Sequence, residues 1–321
     1  MKLCQHLRTR FNAGLSAAAV AVATGLIAAP HCRAAASEFK DLRVEVQGQG
    51  RPVLMIPGLN SAASAWTETC AALQPQVQCH IVQLPGFAGQ PAIQTPTFLA
   101  EMRDRLWAYI DARQLKQPVL MGHSLGGALA LMMAAERPAA VERLVIVDSL
   151  PFIGGLRGGN VTPEQAQQMA EGMRQQMLSI PPELWKAGAE QATRGMTRDP
   201  ERSRQVLAWG QASDRLTTIQ AMTELWGADL RPLLPKISSP VLVLGAWAAY
   251  EPMGSTMEST RHIFEQQYAG LPHFSLAMSE RGYHFLMWDD AAWLQAQVRG
   301  FLATPAIAAA SIPAASTPAA R

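Results

Sequence analysis

From Asp41 to Gln47, Leu42, Val44 and Val46 alternate with charged or polar neighbours, and Gly48-Gln49-Gly50 ends the run. This is the period of an edge strand with one buried face. The next apolar runs do not alternate. Pro52-Val53-Leu54-Met55-Ile56, Cys79 to Leu84, Pro118 to Met121, Arg143 to Asp148 and Pro240 to Leu244 are continuous or nearly so, as strands covered on both faces must be. Between them lie segments with helical spacing, at Ala62 to Leu73, Thr97 to Ala112, Ala128 to Ala135 and Ser259 to Ala269, with a further strand at His273 to Met278 and a last helix at Trp288 to Leu302. Strands alternating with helices predict an α/β chain with a mostly parallel central sheet and helices on both faces.

That rhythm lapses between Phe152 and Leu234, where Gln-, Met-, Arg- and Ala-rich helical patterns are broken at Pro163, Pro181-Pro182, Asp199-Pro200 and Gly227. The expected organisation is a core in two parts, residues 37–151 and 236–302, with a helical cap, 152–235, inserted between them. Residues 303–321 are Ala, Pro, Ser and Thr with little else, and such a tail buries too little apolar surface to order.

Composition changes the picture mainly at the N-terminus. The chain has 321 residues, 49% of them hydrophobic, enough for one large core. Lys2, Arg8 and Arg10 precede an apolar stretch from Ala13 to Ala29, and Ala34-Ala35-Ala36 supplies small residues for cleavage, the pattern of a secretory signal peptide over residues 1–36. Gly14, Ser16, Gly25 and Pro30 argue against a retained span, and Ala29-Pro30-His31 is a poor context for a lipidated Cys32. Removing the segment takes four basic residues and no acidic one, so the formal charge passes from +2 to −2. The basicity is therefore targeting sequence, with no patch for nucleic acid and no charge run for a membrane surface. The expected location is periplasmic or secreted. Cys70 and Cys79 remain, and a close, even pair in an exported chain points to a disulfide, two buried thiols being the other reading.

The chemistry centres on Gly122-His123-Ser124-Leu125-Gly126, set between the Pro118 to Met121 strand and an alanine-rich helix. A serine on a strained strand-to-helix turn needs glycine two places either side, because its neighbours have no room for side chains. Together with Pro57-Gly58-Leu59-Asn60, with Leu84-Pro85-Gly86-Phe87-Ala88-Gly89 and with Gly282-Tyr283-His284-Phe285 before the last helix, this elbow makes the chain from Leu42 to Leu302 resemble the α/β-hydrolase fold family with a helical cap. The resemblance implies Ser124 as nucleophile, His284 as general base, and the backbone N–H groups of Leu59 and Leu125 as oxyanion donors. Asn60 would touch the substrate or serve the turn, and His123 would pack and shape the elbow. The acid departs from the family pattern, since its usual place falls on Ala248. Asp148, at the end of the strand after the elbow helix, and Glu251, further along the usual loop, are the two replacements, and a site without a carboxylate is the third reading. Phe87, Phe152, Trp247 and Tyr250 follow strand ends and are candidates for the pocket wall, and Met and Trp residues of the cap for its roof.

The function implied is an exported serine hydrolase of carboxylic ester-type bonds (esterase, lactonase or thioesterase) acting through an acyl-enzyme on a small, apolar acyl ester. A non-catalytic binding protein on the same fold is the alternative of another class, and a carbon–carbon bond hydrolase the alternative chemistry. No metal-ligand spacing or dinucleotide loop is present, so no cofactor or metal is expected. No stable membrane insertion is expected after signal removal, and the oligomeric state is open.

Overall fold

The computed structural model describes residues 36–157 and 161–305. The expected signal peptide lies outside these residues but for Ala36, as does the expected disordered tail from residue 306 on. Eight strands form one sheet: β1 (Ala36–Phe39), β2 (Leu42–Gly48), β3 (Arg51–Ile56), β4 (Val77–Gln83), β5 (Val119–His123), β6 (Arg143–Val147), β7 (Val241–Gly245) and β8 (Phe274–Met278). Their order is β1-β2-β4-β3-β5-β6-β7-β8. The pairs β1 with β2 and β2 with β4 are antiparallel, and every other neighbouring pair is parallel. β2 is not the edge strand its alternation suggests. β1, a four-residue strand beginning where the signal segment was expected to end, covers its outer side.

The continuous apolar runs divide between two cores. On one face of the sheet Leu54, Ile56, Leu120, Leu144, Ile146 and Val243 pack against helices α2 (Phe98–Ala112) and α3 (Leu125–Glu136). On the other, Val53, Met55, Met121, Val145, Val147 and Leu244 pack against α1 (Thr67–Leu73) and the last helix. Successive strand residues point to opposite faces, so a strand covered on both sides has no polar position to alternate with. The disulfide joins Cys70 on α1 to Cys79 on β4, with a Cα–Cα distance of 6.1 Å. It ties the helix to the strand that follows it.

Between β6 and β7 the chain forms α4 (Pro163–Ser179), α5 (Pro182–Thr193), α6 (Pro200–Ala212) and α7 (Arg215–Gly227). The prolines that break the pattern stand at the first position of α4, α5 and α6, where the missing N–H has no helical partner to lose. Asp199 and Asp214 cap α6 and α7 through their carboxylates. After β7 come α8 (Met257–Tyr268), the short α9 (Leu286–Asp289) and α10 (Ala291–Ala303). The single last helix expected from Trp288 is thus divided, the chain leaving helical geometry at Asp290. Among the described residues, no helix is long and apolar enough to cross a membrane.

One buried histidine makes the core sensitive to acid. His80 on β4 lies 2.8 Å from the Tyr109 hydroxyl through Nδ1 and 3.1 Å from Gln78 Oε1 through Nε2. The neutral ring satisfies both contacts, accepting from the phenol and donating to the amide oxygen. Burial, and then the nearby Arg113 charge, push its pKa down to about 4. The unfolded chain therefore takes up more protons between about pH 6.5 and pH 4, so the stability that neutral His80 supplies is complete above that window and is lost as pH falls through it. The loss is about 3 kcal/mol at its largest. Urea unfolding at pH 7 and pH 4.5 is expected to show this loss, reduced in a His80→Gln variant. An equal loss in the variant would rule His80 out as its source.

Candidate active site

Strand register brings the reactive residues to one edge of the sheet. Ile56 on β3 pairs with Gly122 on β5, His123 with Val147 on β6, and Val147 with Leu244 on β7. The residues that follow, Pro57-Gly58, Ser124, Asp148 and Gly245-Ala246, therefore leave the carboxyl ends of four adjacent strands side by side, the usual place for a site on an open parallel sheet.

Ser124 has φ 53° and ψ −119°, a conformation that costs a non-glycine residue about 1–3 kcal/mol. Its surroundings hold it there: its N–H donates to Val147 O at 3.0 Å, and its carbonyl accepts from Gly127 N at 2.8 Å. The turn is so tight that a Cβ on Gly122 would lie 2.1 Å from Gly126 O, and one on Gly126 2.2 Å from Ile56 O. The serine is half-buried and borders a cavity of about 390 Å³, which His284 also borders.

His284 lies in the loop between β8 and α9, and several contacts immobilise that loop. Asp290 accepts from the Ser279 hydroxyl at 2.7 Å, that hydroxyl oxygen accepts from Gly282 N at 2.8 Å, and Asp289 accepts from Tyr283 N at 3.0 Å. Asp289 also accepts from the Thr197 hydroxyl at 2.6 Å, and Phe285 N donates to Met196 O at 3.0 Å. These contacts hold the histidine loop to the segment between α5 and α6.

The imidazole Nδ1 of His284 is 2.6 Å from Asp148 Oδ2. The other carboxylate oxygen of Asp148 accepts from Ala246 N at 2.9 Å, and its own N–H donates to Leu244 O at 2.7 Å. Asp148 has φ 44°, a left-handed conformation that Asp tolerates better than most residues. An acceptor at Nδ1 puts the ring proton there and leaves Nε2 free to take one. The Asp148 charge is also felt by Tyr268, which is fully buried and donates to Ser149 O at 2.7 Å. Burial and then that charge hold the Tyr268 pKa well above its ordinary value.

Glu251, the other carboxylate considered, is exposed on the 3₁₀ turn Ala248–Met253, and among the described residues its side chain has no hydrogen-bond partner. Asp148, not Glu251, is therefore the carboxylate next to the imidazole.

His123 is buried under the elbow with its ring centroid 4.5 Å from that of His284. Nε2 is 3.0 Å from the His284 carbonyl, which can only accept, so the proton is on Nε2. Burial first, and the His284 charge second, hold the His123 pKa well below the ordinary value, the backbone hydrogen bond opposing them. A neutral ring thus anchors the main chain of the neighbouring histidine. Its Nδ1 has no partner and faces Gly58, where a Cβ would lie 3.0 Å away.

Gly58 to Ser61 form a turn closed by Ser61 N donating to Gly58 O at 3.2 Å. Asn60 has φ 56°, which suits asparagine at the third position of a type II turn. Leu59, in the second position, has no acceptor for its N–H among the described residues. The Leu125 N–H opens α3, in the first turn where helical acceptors are lacking. Two backbone donors thus flank Ser124. Asn60 also reaches the cap, its amide 2.7 Å from the Thr218 hydroxyl on α7. That hydroxyl has one proton and already sits 2.8 Å from Asp214 O, one turn earlier. That proton serves one of two acceptors at a time, Asn60 Oδ1 or Asp214 O.

The cavity wall differs from the one expected. Leu59, Asn60 and His123 line it, but Phe87, Phe152, Trp247 and Tyr250 do not. Phe87 is buried in the core 5.2 Å from the Phe98 ring, and Phe152 is buried under the Arg231 guanidinium. Trp247 packs on the core, and Tyr250 is 45% exposed. A place after a strand end brings a residue to the right edge of the sheet but does not say which way its loop turns. The roof comes, as expected, from the cap, including Met177, Trp185, Met196, Met222, Leu225 and Trp226. Ile180, Leu184 and Val206 join them, as do Gly188, Ala189 and Ala192 on α5. The α5 positions 184, 185, 188, 189, 192 and 193 form one helical stripe, a spacing readable in the sequence once α5 is placed. Arg215 on α7 donates to the Met177, Leu178 and Ile180 carbonyls and stacks on Trp185, tying the α4–α5 connection down.

Comparison with known proteins gives the same architecture. The curated relatives include a pimeloyl-[acyl-carrier protein] methyl ester esterase of Vibrio vulnificus, 26% identical over 205 residues, which are 64% of this chain and 78% of that protein. Among solved structures, the enol-lactonase from Burkholderia xenovorans superposes with a TM-score of 0.67 at 17% identity, over 84% of this chain and all of that one. An esterase from Exiguobacterium antarcticum gives 0.65 at 19% identity, over 82% and 96%. These structural likenesses speak for the fold. The model of the alpha/beta hydrolase family matches residues 53–296, which hold the elbow, the aspartate and the histidine described above, and the chain belongs to that family.

Proposed function

We propose that the protein is an exported serine hydrolase that cleaves a carboxylic ester-type bond through an acyl-enzyme on Ser124. The observation that carries this reading is the 2.6 Å contact between Asp148 and His284, in a site whose cavity both Ser124 and His284 border. Nε2 of His284 takes the Ser124 proton as the hydroxyl attacks the carbonyl carbon, and Asp148 stabilises the imidazolium that forms. The hydroxyl–imidazole hydrogen bond belongs to the substrate complex, where such contacts tighten. The N–H groups of Leu59 and Leu125 receive the oxyanion. The imidazolium returns its proton to the leaving alcohol, and water then repeats the sequence on the acyl-enzyme.

A relative named as a methyl ester esterase supports the ester bond as the target. A missing acid at Ala248 would suit a non-catalytic binding protein, and the carboxylate of Asp148 beside His284 supports catalysis instead. Export is supported by the basic and apolar N-terminal pattern and by the Cys70–Cys79 bond, which suits an oxidising compartment.

A fluorophosphonate probe is expected to label the folded protein at Ser124, mapped by peptide mass spectrometry. A folded protein that is not labelled would defeat the hydrolase reading. For export, N-terminal sequencing of the protein recovered outside the cytoplasm should begin at Ser37. Recovery only as a cytoplasmic chain beginning at Met1 would defeat it.

A further inference from the structure

Three features of the catalytic cavity bear on what it accepts. The first is charge. Among the described residues lining the cavity there is no Lys, Arg, Asp or Glu. His123, one of the two histidines in the wall, is held neutral by burial. A charged substrate group placed there would give up water and meet only uncharged hydrogen-bonding groups such as Asn60 and Thr193, with no Lys, Arg, Asp or Glu to pair with.

The second is size. At about 390 Å³ the cavity lies near the lower end of the range for small-ligand pockets. That suits a chain of medium length better than a large polycyclic group.

The third is the presence of two glycines. Gly188 on α5 and Gly210 on α6 both line the cavity, and these two helices pack on each other. A Cβ at either position would meet nothing within 4 Å, so packing does not demand glycine there. Glycine within a helix is less stable than alanine. What sets these two apart from the equally open Gly172 is their place: the side chains they lack leave part of the cavity wall open. The volume they leave is continuous with the space beside Ser124.

Resting on the acyl-enzyme reading above, we propose that the site selects neutral esters with a medium-length apolar acyl chain, seated between α5 and α6, and that Gly188 and Gly210 keep that seat open. The acyl part stays attached to Ser124 after the alcohol has left, so a chain held in this seat remains bound through deacylation. A side chain at either glycine would occupy volume that the chain needs. A terminal carboxylate would be rejected, because no cation in the wall can pair with it.

The test compares p-nitrophenyl octanoate with p-nitrophenyl acetate as a ratio of kcat/KM for wild type, Gly188→Leu and Gly210→Leu. Gly172→Leu serves as control, at an exposed glycine of α4 that does not line the cavity and is equally open. The expected ratio falls by roughly tenfold or more in both cavity variants, the scale on which an apolar pocket discriminates, and keeps its wild-type value in the control. In a second arm, methyl octanoate is expected to be cleaved at least about tenfold more efficiently than the monomethyl ester of octanedioic acid, whose free carboxylate would lie unpaired. An unchanged ratio in both cavity variants, with phosphonate labelling intact, would overturn the chain seat. Equal cleavage of the two methyl esters would overturn the selection for neutral substrates. A wild-type protein that is folded but not labelled would remove the acyl-enzyme reading, and this assignment with it.

Discussion

Replacing Ser124 with alanine is expected to lower kcat for a p-nitrophenyl ester by about 10⁴- to 10⁶-fold, the scale on which a serine nucleophile is lost. The fold should survive. The strained backbone at φ 53° is held by main-chain hydrogen bonds to Val147 and from Gly127, and alanine removes only a hydroxyl that has no partner among the described residues. Thermal unfolding of the variant within a few degrees of wild type would show that lost activity is lost chemistry. A variant retaining a tenth or more of wild-type activity would take the nucleophile away from Ser124.

Asp148→Asn has the second largest expected effect, a fall in kcat of about 10⁴-fold, because an amide no longer stabilises the imidazolium or fixes the tautomer. Asparagine suits the site sterically. It tolerates positive φ, here 44°, and its amide oxygen can still accept from Ala246 N as Asp148 Oδ1 does at 2.9 Å. Glu251→Gln is expected to leave kcat within about twofold of wild type, as surface substitutions away from a site do, since Glu251 is exposed and not bonded to the imidazole. The reverse pattern would transfer the acid to Glu251. Wild-type activity in both variants would mean that neither carboxylate supports His284.

Both predictions rest on residues whose chemistry was visible in the chain but whose partnership was not. Ser124 and its flanking glycines are legible because the elbow is local: five consecutive residues must make one turn, and a Cβ at Gly122 or Gly126 has nowhere to go. The runs that become β3 to β7 are legible because a strand covered on both faces must be apolar throughout. The helical breaks at Pro163, Pro182 and Pro200 are legible because proline cannot continue a hydrogen-bonded turn. The edge of the sheet is less so, since β1 starts where the signal segment was expected to end and has too few residues for a pattern.

What the amino-acid order settled alone was therefore the content of short windows: the apolar strands, the elbow, and the residue types able to act as nucleophile and base. The choice of acid and the shape of the pocket belong to tertiary structure. Asp148 and His284 are 136 residues apart, and they meet because β5, β6 and β7 pair in register and the β8–α9 loop is tied across them. Leu184, Gly188 and Gly210 are ordinary helix residues until α5 and α6 are laid over Ser124. Which of many compatible pairs comes into contact depends on strand register and loop direction. These are set by the summed packing of the whole chain, and no local window contains that sum.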